Sequence, residues 1–399
     1  MSETFEKNMK NILHQVFDKK GSALLIAMAL IAMLTGVAIM SVDRSNVDME
    51  LSYNQLHEEQ SFYAAEAGAA RALVELNKNF SWRGPIIDAQ LDGRKYAVIV
   101  LDSLWNPALM DTVLIKATAN YSGTAVNLEN WVAPSYFKPF KYAAFGADSM
   151  IMKNSACTDS YNSDSGSYAA TQTIDDGDIG SNGYIKLTNI ATVNGDAQTS
   201  TTGGITLDNS ASVGGDTTST APVNDMGYIT DSAYTFAQTN SLAPGGFSGT
   251  YTYDPATKAL TLAKNDTLKL SSGVYYLSTV NMGEQSSIQI QPGAKVQIYT
   301  TGNMTFSQNT SINPGGVPSN VQIFSKGTSL TLGQYVEFRA IFWGANTNIT
   351  VSQNTSVYGS LTGKSVSIAN SACVHFDRSL LKFVTKKIES MEMVAWRQN

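Results

Sequence analysis

The feature that most constrains this chain is the stretch KKGSALLIAMALIAMLTGVAIMSVD, in which no charge occurs from Gly21 to Val42. The apolar core of a secretory signal is about 7–15 residues, and this run is longer. As a helix rising ~1.5 Å per residue it covers roughly 33 Å, enough to cross the hydrocarbon layer of a bilayer. Ala23, Ala27, Ala29, Ala32, Gly36 and Ala38 are small residues of the kind that let helices approach closely. Lys19 and Lys20 mark the preceding end as cytoplasmic by the positive-inside rule. The remainder of the chain is therefore expected outside the cytoplasm. A plain, uncleaved anchor satisfies all of this.

The sequence beyond the apolar run argues for more than an anchor. From Asp43 to about Asn77 there is no proline and no turn cluster. Apolar or small residues recur at helical spacing at Met49, Tyr53, Leu56, Tyr63, Ala67, Ala70 and Val74. One helix from Ser22 to about Asn77 would be on the order of 80 Å long. Its first half suits lipid and its second half suits a packed protein surface.

KKGSALLIAMALIAMLTG resembles a type IV prepilin processing site, and EEQSFYAAEAGAARAL, residues 58–73, resembles the hallmark segment of PilX-like minor pilins of the type IV pilus. The resemblance implies cleavage between Gly21 and Ser22 by prepilin peptidase, methylation of the new amine on Ser22, and assembly with other pilins and minor pilins through the apolar helix. Ile26, Phe62, Tyr63 and Glu66 are then the expected fibre contacts. Major pilins carry a glutamate at the fifth mature position, which pairs with a neighbour's amine; here that position is Ile26. Minor pilins at the fibre tip, including the K-type pseudopilin of type II secretion, show a similar loss, so a tip or initiating role is expected.

Composition fits an exported protein. The net charge of −6 comes without an evident basic patch, which argues against a nucleic-acid partner. Residues 91–133 read as a small strand set: RKYAVIVLD, a turn at Asn106-Pro107, DTVLIKATANY, a turn at Ser122-Gly123, and TAVNLENWV. Tyr96, Ile115 and Trp131 read as its core.

The region from about Phe145 to Asp377 is rich in Ser, Thr, Asn and Gly and carries an internal repeat. The template is apolar–x–apolar, five residues, then an apolar or small residue. It recurs in segments starting at Met150, Ile185, Ile205, Met304, Leu330, Ile349 and Val366. Alternation turns one side of a short strand inward. The central asparagines, Asn154, Asn189, Asn209, Asn309, Asn354 and Asn370, tolerate a left-handed corner. Such coils must stack to bury their faces, which predicts a β-solenoid; a sandwich of hairpins is the alternative. NTSVYGSLTGKSVSIANSACVHFDRSLL, residues 354–381, also resembles a β-helical C-terminal domain found attached to PilX-like N-termini. Residues 221–262 break the pattern and read as an excursion, with a hairpin at GTYTYDPATKALTLA.

The fold class is thus α+β, with a leader at 1–21, a transmembrane and pilin helix at 22–80, a small β region at 81–140, a solenoid head at 141–381 and a tail at 382–399. No catalytic residue, metal site or cofactor is expected. Asp159, Asp164, Asp175, Asp176 and Asp178 offer oxygen ligands of the kind calcium takes, but they read better as polar turn loops, and His375 and Asp377 read as closing the last coil. Cys157 and Cys373 occupy the same place in the first and last template copies. A single linear stack would hold them several ~4.8 Å steps apart, beyond the ~7 Å limit for a bridge, and so predicts two buried free thiols. The expected function is a minor pilin that initiates or decorates a type IV pilus, held first in the inner membrane with its head in the periplasm and later at the cell surface, with an adhesive head whose ligand the sequence does not name. A K-type tip subunit of a type II secretion system, and an inner-membrane-anchored carbohydrate-binding or carbohydrate-active protein, are the alternatives.

Overall fold

The structure, a computed structural model, describes residues 2–101, 112–208, 210–227, 229–384 and 388–398, without the side chains of residues 2–22, 88, 388 and 389. A long N-terminal helix is followed by a large β-rich domain with many strands. The chain divides into two compact units, Met1–Tyr136 with Lys387–Asn399, and Phe137–Lys386. The turn expected at Asn106-Pro107 and the corner expected at Asn209 lie outside the described residues.

In the first unit, α1 (Ser2–Lys78) is unbroken because no proline interrupts it. Strands β1 (Ile86–Leu91), β2 (Arg94–Leu101), β3 (Val113–Tyr121) and β4 (Thr124–Tyr136) form an antiparallel sheet. Two tight turns set its register. Asp92-Gly93 and Ser122-Gly123 both have positive φ at each residue (51° and 77°; 52° and 90°), the geometry whose twist matches antiparallel strands. Along β2, buried Tyr96, Val98 and Val100 alternate with exposed Lys95, Ala97 and Ile99. Ile115 is fully buried, while Trp131 is half-buried. The expected tail is a correction: Ile388–Gln398 is a fifth strand, antiparallel to β4.

The second unit is a stack of coils built from parallel pairs. Along one face the leading apolar residues fall in a single column, in spatial order Leu260, Val280, Met304, Leu330, Ile349, Val366, Met150, Ile185 and Ile205. The template's last residues form a second column, Leu268, Ile288, Ile312, Phe338, Val357, Val374, Thr158, Val193 and Val213. A third face returns the chain to the next coil. Asn154, Asn189, Asn309, Asn354 and Asn370 all turn the corner with φ between 51° and 59°. Burying each inward side chain contributes about 1.5–3 kcal/mol, and no coil could retain that alone.

Two findings revise the expected stack. LTLAKNDTL from Leu260 and VNMGEQSSI from Val280 also fit the template, with left-handed corners at Asn265 (65°) and Gln285 (60°). Residues 259–262 are therefore already in the stack, paired in a hairpin with Thr252–Asp254. The stack is also not linear in sequence. The chain enters at β5 (Ala144–Lys153) and β6 (Cys157–Tyr161) and coils towards residues 217–218. It then crosses to the far end and coils back until Ser356–Ala369 and Cys373–Asp377 pair with β5 and β6. Cys157 and Cys373 are register partners, with Cα atoms 4.5 Å apart, and form a disulfide. The expectation of free thiols fails because the repeat fixes which residues share a column and not the order in which coils stack.

Candidate assembly surface

The segment FYAAEAGAARAL lies on α1 beneath the small sheet. Ala64, Ala65, Ala69, Ala72 and Leu76 are buried against Tyr96, Val98, Ile115, Ala117, Val126 and Leu128. Small side chains let a helix approach a sheet closely. At Gly68 a Cβ would lie 2.7 Å from Tyr96 Cδ2 and 3.0 Å from Val98 Cγ2. Polar contacts hold the helix in place: Ser61 Oγ donates to Thr124 O at 2.8 Å, Asn77 Oδ1 accepts from Met391 N–H at 2.8 Å, and Arg71 donates to Tyr96 Oη at 3.3 Å. Behind the sheet, Glu129 contacts Lys116 Nζ (2.8 Å) and Arg397 (2.6 Å). The hydrogen bond from Lys116, reinforced by Arg397, holds its carboxyl below the usual range.

The opposite side of α1 is open. Its N-terminal half is long and apolar enough to cross a membrane, and from Ala23 to Met49 almost every side chain is exposed. Ile26 is on this bare stretch, 60% exposed. Gly21 and Ser22 are in the same helix, with their side chains outside the described set. Roughly 54 Å further along the axis, Phe62 and exposed Tyr63 line a groove of about 590 Å³ with Gln55, Glu58, Glu59, Trp396 and Gln398. Phe62 meets the Trp396 ring edge-on at 6.2 Å, and Gln398 donates to Glu58 at 3.3 Å. Glu66 is exposed one turn beyond Phe62. The groove thus unites two expected contacts, leaves Ile26 distant, and adds Trp396.

The acids of the stack are spent on structure. Asp159 accepts from Tyr168 Oη at 2.6 Å and lies 2.6 Å from His375 Nδ1, while the Tyr168 ring lies tilted 4.3 Å from the His375 ring. Asp164 pairs with Lys382 and Asp176 with Arg378. Asp377 accepts from the N–H groups of Ser163 and Ser379 at 3.0 and 3.1 Å. Burial, and then the bond to Asp159, holds the Tyr168 phenol well above its ordinary range. Burial raises Asp178 against the opposing bond from the Asp196 N–H. Together these contacts fasten the segment after β6 over the seam. Among the described residues, no group of three or more His, Cys, Asp or Glu is placed to hold a metal.

Residues 278–383, which cover five levels of the stack up to the seam, match the Domain of unknown function (DUF7305). No curated protein matches the chain. Among solved structures it is similar to the competence-associated pilin ComZ from Thermus thermophilus, at 12% identity and TM-score 0.35, covering 86% of this chain and 97% of that one. It is also similar to an ice-binding protein from the Antarctic ascomycete Antarctomyces psychrotrophicus, at 16% identity and TM-score 0.34, covering 61% and 97%. A third likeness is to the DUF3494 domain of an ice-binding protein from Shewanella frigidimarina, at 13% identity and TM-score 0.36, covering 62% and 98%.

Proposed function

We propose that this chain is a minor pilin of the PilX-like kind, cut between Gly21 and Ser22, methylated at Ser22, and carried from the inner membrane into a type IV pilus with a β-solenoid head. The observation that supports this most is the division of α1. Its apolar first half is unpartnered, while its second half is buried under the chain's own antiparallel sheet through Ala64, Ala65, Gly68, Ala69 and Ala72. A simple anchor has no use for a spine that is bare at one end and sheet-covered at the other. A fibre subunit needs both: the bare half meets lipid first and neighbouring helices later, while the covered half carries the globular part.

Ile26 favours a tip or initiating position. A carboxylate there would need a neighbour's amine, and a subunit with none above it would leave a buried charge costing several kcal/mol. The same argument supports a tip subunit of a secretion pseudopilus. The head is read as a display module rather than an enzyme because Asp159, His375, Asp176 and Asp377 are each engaged in holding the seam. The test is processing and location. Wild-type protein recovered from sheared fibres should begin at Ser22, and Gly21→Val should remain about 2.5 kDa heavier, by the sum of the leader's residues. Ile26→Glu should lower incorporation. Immunogold labelling of intact fibres should decorate tips; protein confined to the membrane with the first 21 residues intact would instead support the anchored carbohydrate-binding alternative.

A further inference from the structure

The two ends of the stack differ. At the end formed by residues 259–277, every face is covered. Thr252–Asp254 pairs antiparallel with Ala259–Leu262, and Phe247–Gly249 pairs antiparallel with Thr267–Leu270. Leu242 N–H donates to Val274 O at 2.8 Å, and Ser241 Oγ accepts from Tyr276 N–H at 3.0 Å. At the other end, Ile205–Leu207 registers with Tyr184–Thr188, Ser212–Val213 with Thr192–Val193, and Thr217–Thr218 with Ala197–Thr199. Among the described residues no strand registers on their outer side. Inward side chains there are only partly covered. Leu207 is 44% exposed and Ile205 and Val213 are half-buried, whereas the next coil's Ile185, Leu187 and Val193 are fully buried.

A side-chain ladder runs to the same end. Asp178 Oδ1 accepts from the Asp196 N–H at 2.7 Å, and Asp196 Oδ1 accepts from the Asp216 N–H at 2.8 Å. Asp216 is the next rung, exposed at the end of the stack, where a further strand's N–H would fall. The chain here is acidic: between Lys186 and Lys258 it has no Lys or Arg and carries Asp196, Asp208, Asp216 and Asp225, of which Asp208 lies 3.9 Å from Lys186 of the next coil. A second copy docked through this end would set acid against acid, and its other end is closed.

We infer that the open end docks a basic segment of a partner protein that follows the corners of the last coil and adds to the stack by β-augmentation. Its alternate apolar side chains would cover Leu207 and Val213, its N–H groups would meet the strand edge and Asp216, and its Lys or Arg side chains would face the acidic rim. The outer strands are only two or three residues each and carry neither proline nor lysine, so an added segment gains backbone bonds by spanning all three faces and not one. This site is separate from the helix used in the pilin reading, so either can fail without the other.

The test uses the full chain in detergent and a fluorescent peptide copying residues 184–199 with two lysines added at each end. Controls are a scrambled peptide and one N-methylated at alternate residues. Fluorescence anisotropy should show saturable binding with Kd below roughly 100 µM. Scrambling or N-methylation should weaken it at least about tenfold, as should Leu207→Gln in a protein that melts like wild type; Asp216→Asn should weaken it less. Equal binding of all three peptides would reduce the effect to charge alone and overturn the proposal. So would absence of saturable binding up to about 1 mM, or self-association lost in Leu207→Gln without peptide binding, which would make a second copy the occupant.

Discussion

Removing the bridge between Cys157 and Cys373 tests the stacking order directly. The two residues are 216 positions apart yet adjacent in register. Closing a loop of that length in the unfolded chain removes about 5 kcal/mol of conformational freedom at 25 °C. Native bridges deliver about 2–5 kcal/mol, because the unfolded reference retains some structure. The seam has other support: Leu361–Gly363 and Ser365–Ala369 pair with β5, and Cys373–Asp377 pairs with β6 along its whole length. A Cys157→Ser/Cys373→Ser variant should therefore fold at 25 °C. It should melt lower by roughly 5–15 °C, given about 2–4 °C per kcal/mol for a unit of this size. Melting by circular dichroism, paired with thiol titration of the denatured, unreduced protein, decides. Two titratable thiols in the wild type, or coincident melts of wild type and variant, would refute the seam and restore a linear stack.

Three further outcomes follow from local geometry. Gly68→Val should separate α1 from β2 and destabilise the first unit by about 1–3 kcal/mol through overpacking, seen as faster proteolysis between α1 and the sheet, since its Cβ would start 2.7 Å from Tyr96. Asn354→Ala should cost about 1–2 kcal/mol because the corner holds φ at 54°, while Asn354→Gly should be nearly neutral in denaturant titration. For Glu129, whose folded pKa is depressed below 4.5 by Lys116 and Arg397, the stabilisation is present above the unfolded value and is lost as pH falls through the folded one. Wild type should therefore exceed Glu129→Gln in stability at neutral pH, and the two should converge in acid.

Much of this architecture was legible because its constraints are local. The corner needs positive φ, Asn supplies it at six described positions, and the template's inward residues align in columns of nine. The two unrecognised copies show where the signal thins. Gln285 adopts the same corner without being Asn, as Tyr335 does in the copy at Leu330, and the segment at Val280 carries Glu284 where the seven recognised copies carry Asn or Gln. What forced the conformation there was the pull of neighbouring coils on an apolar triplet, which outweighs the preference of a single corner residue.

Order along the stack is a different kind of information. The energy of a coil depends on having neighbours above and below, and the columns are nearly alike from level to level, so a sequence reading cannot tell a linear array from one that begins in its middle. The departures from the repeat carry the answer. Thr158 replaces an apolar residue in the second column and donates to Gly177 O at 2.6 Å, beneath the segment that crosses the seam. Asp159 faces His375, and Cys157 faces Cys373, in two successive outward register pairs of the same strands. These side chains have partners only if the first and last coils touch. At the open end the reverse holds: Leu207, Val213 and Asp216 repeat the pattern of the coils before them, although no described strand follows on which that pattern could act.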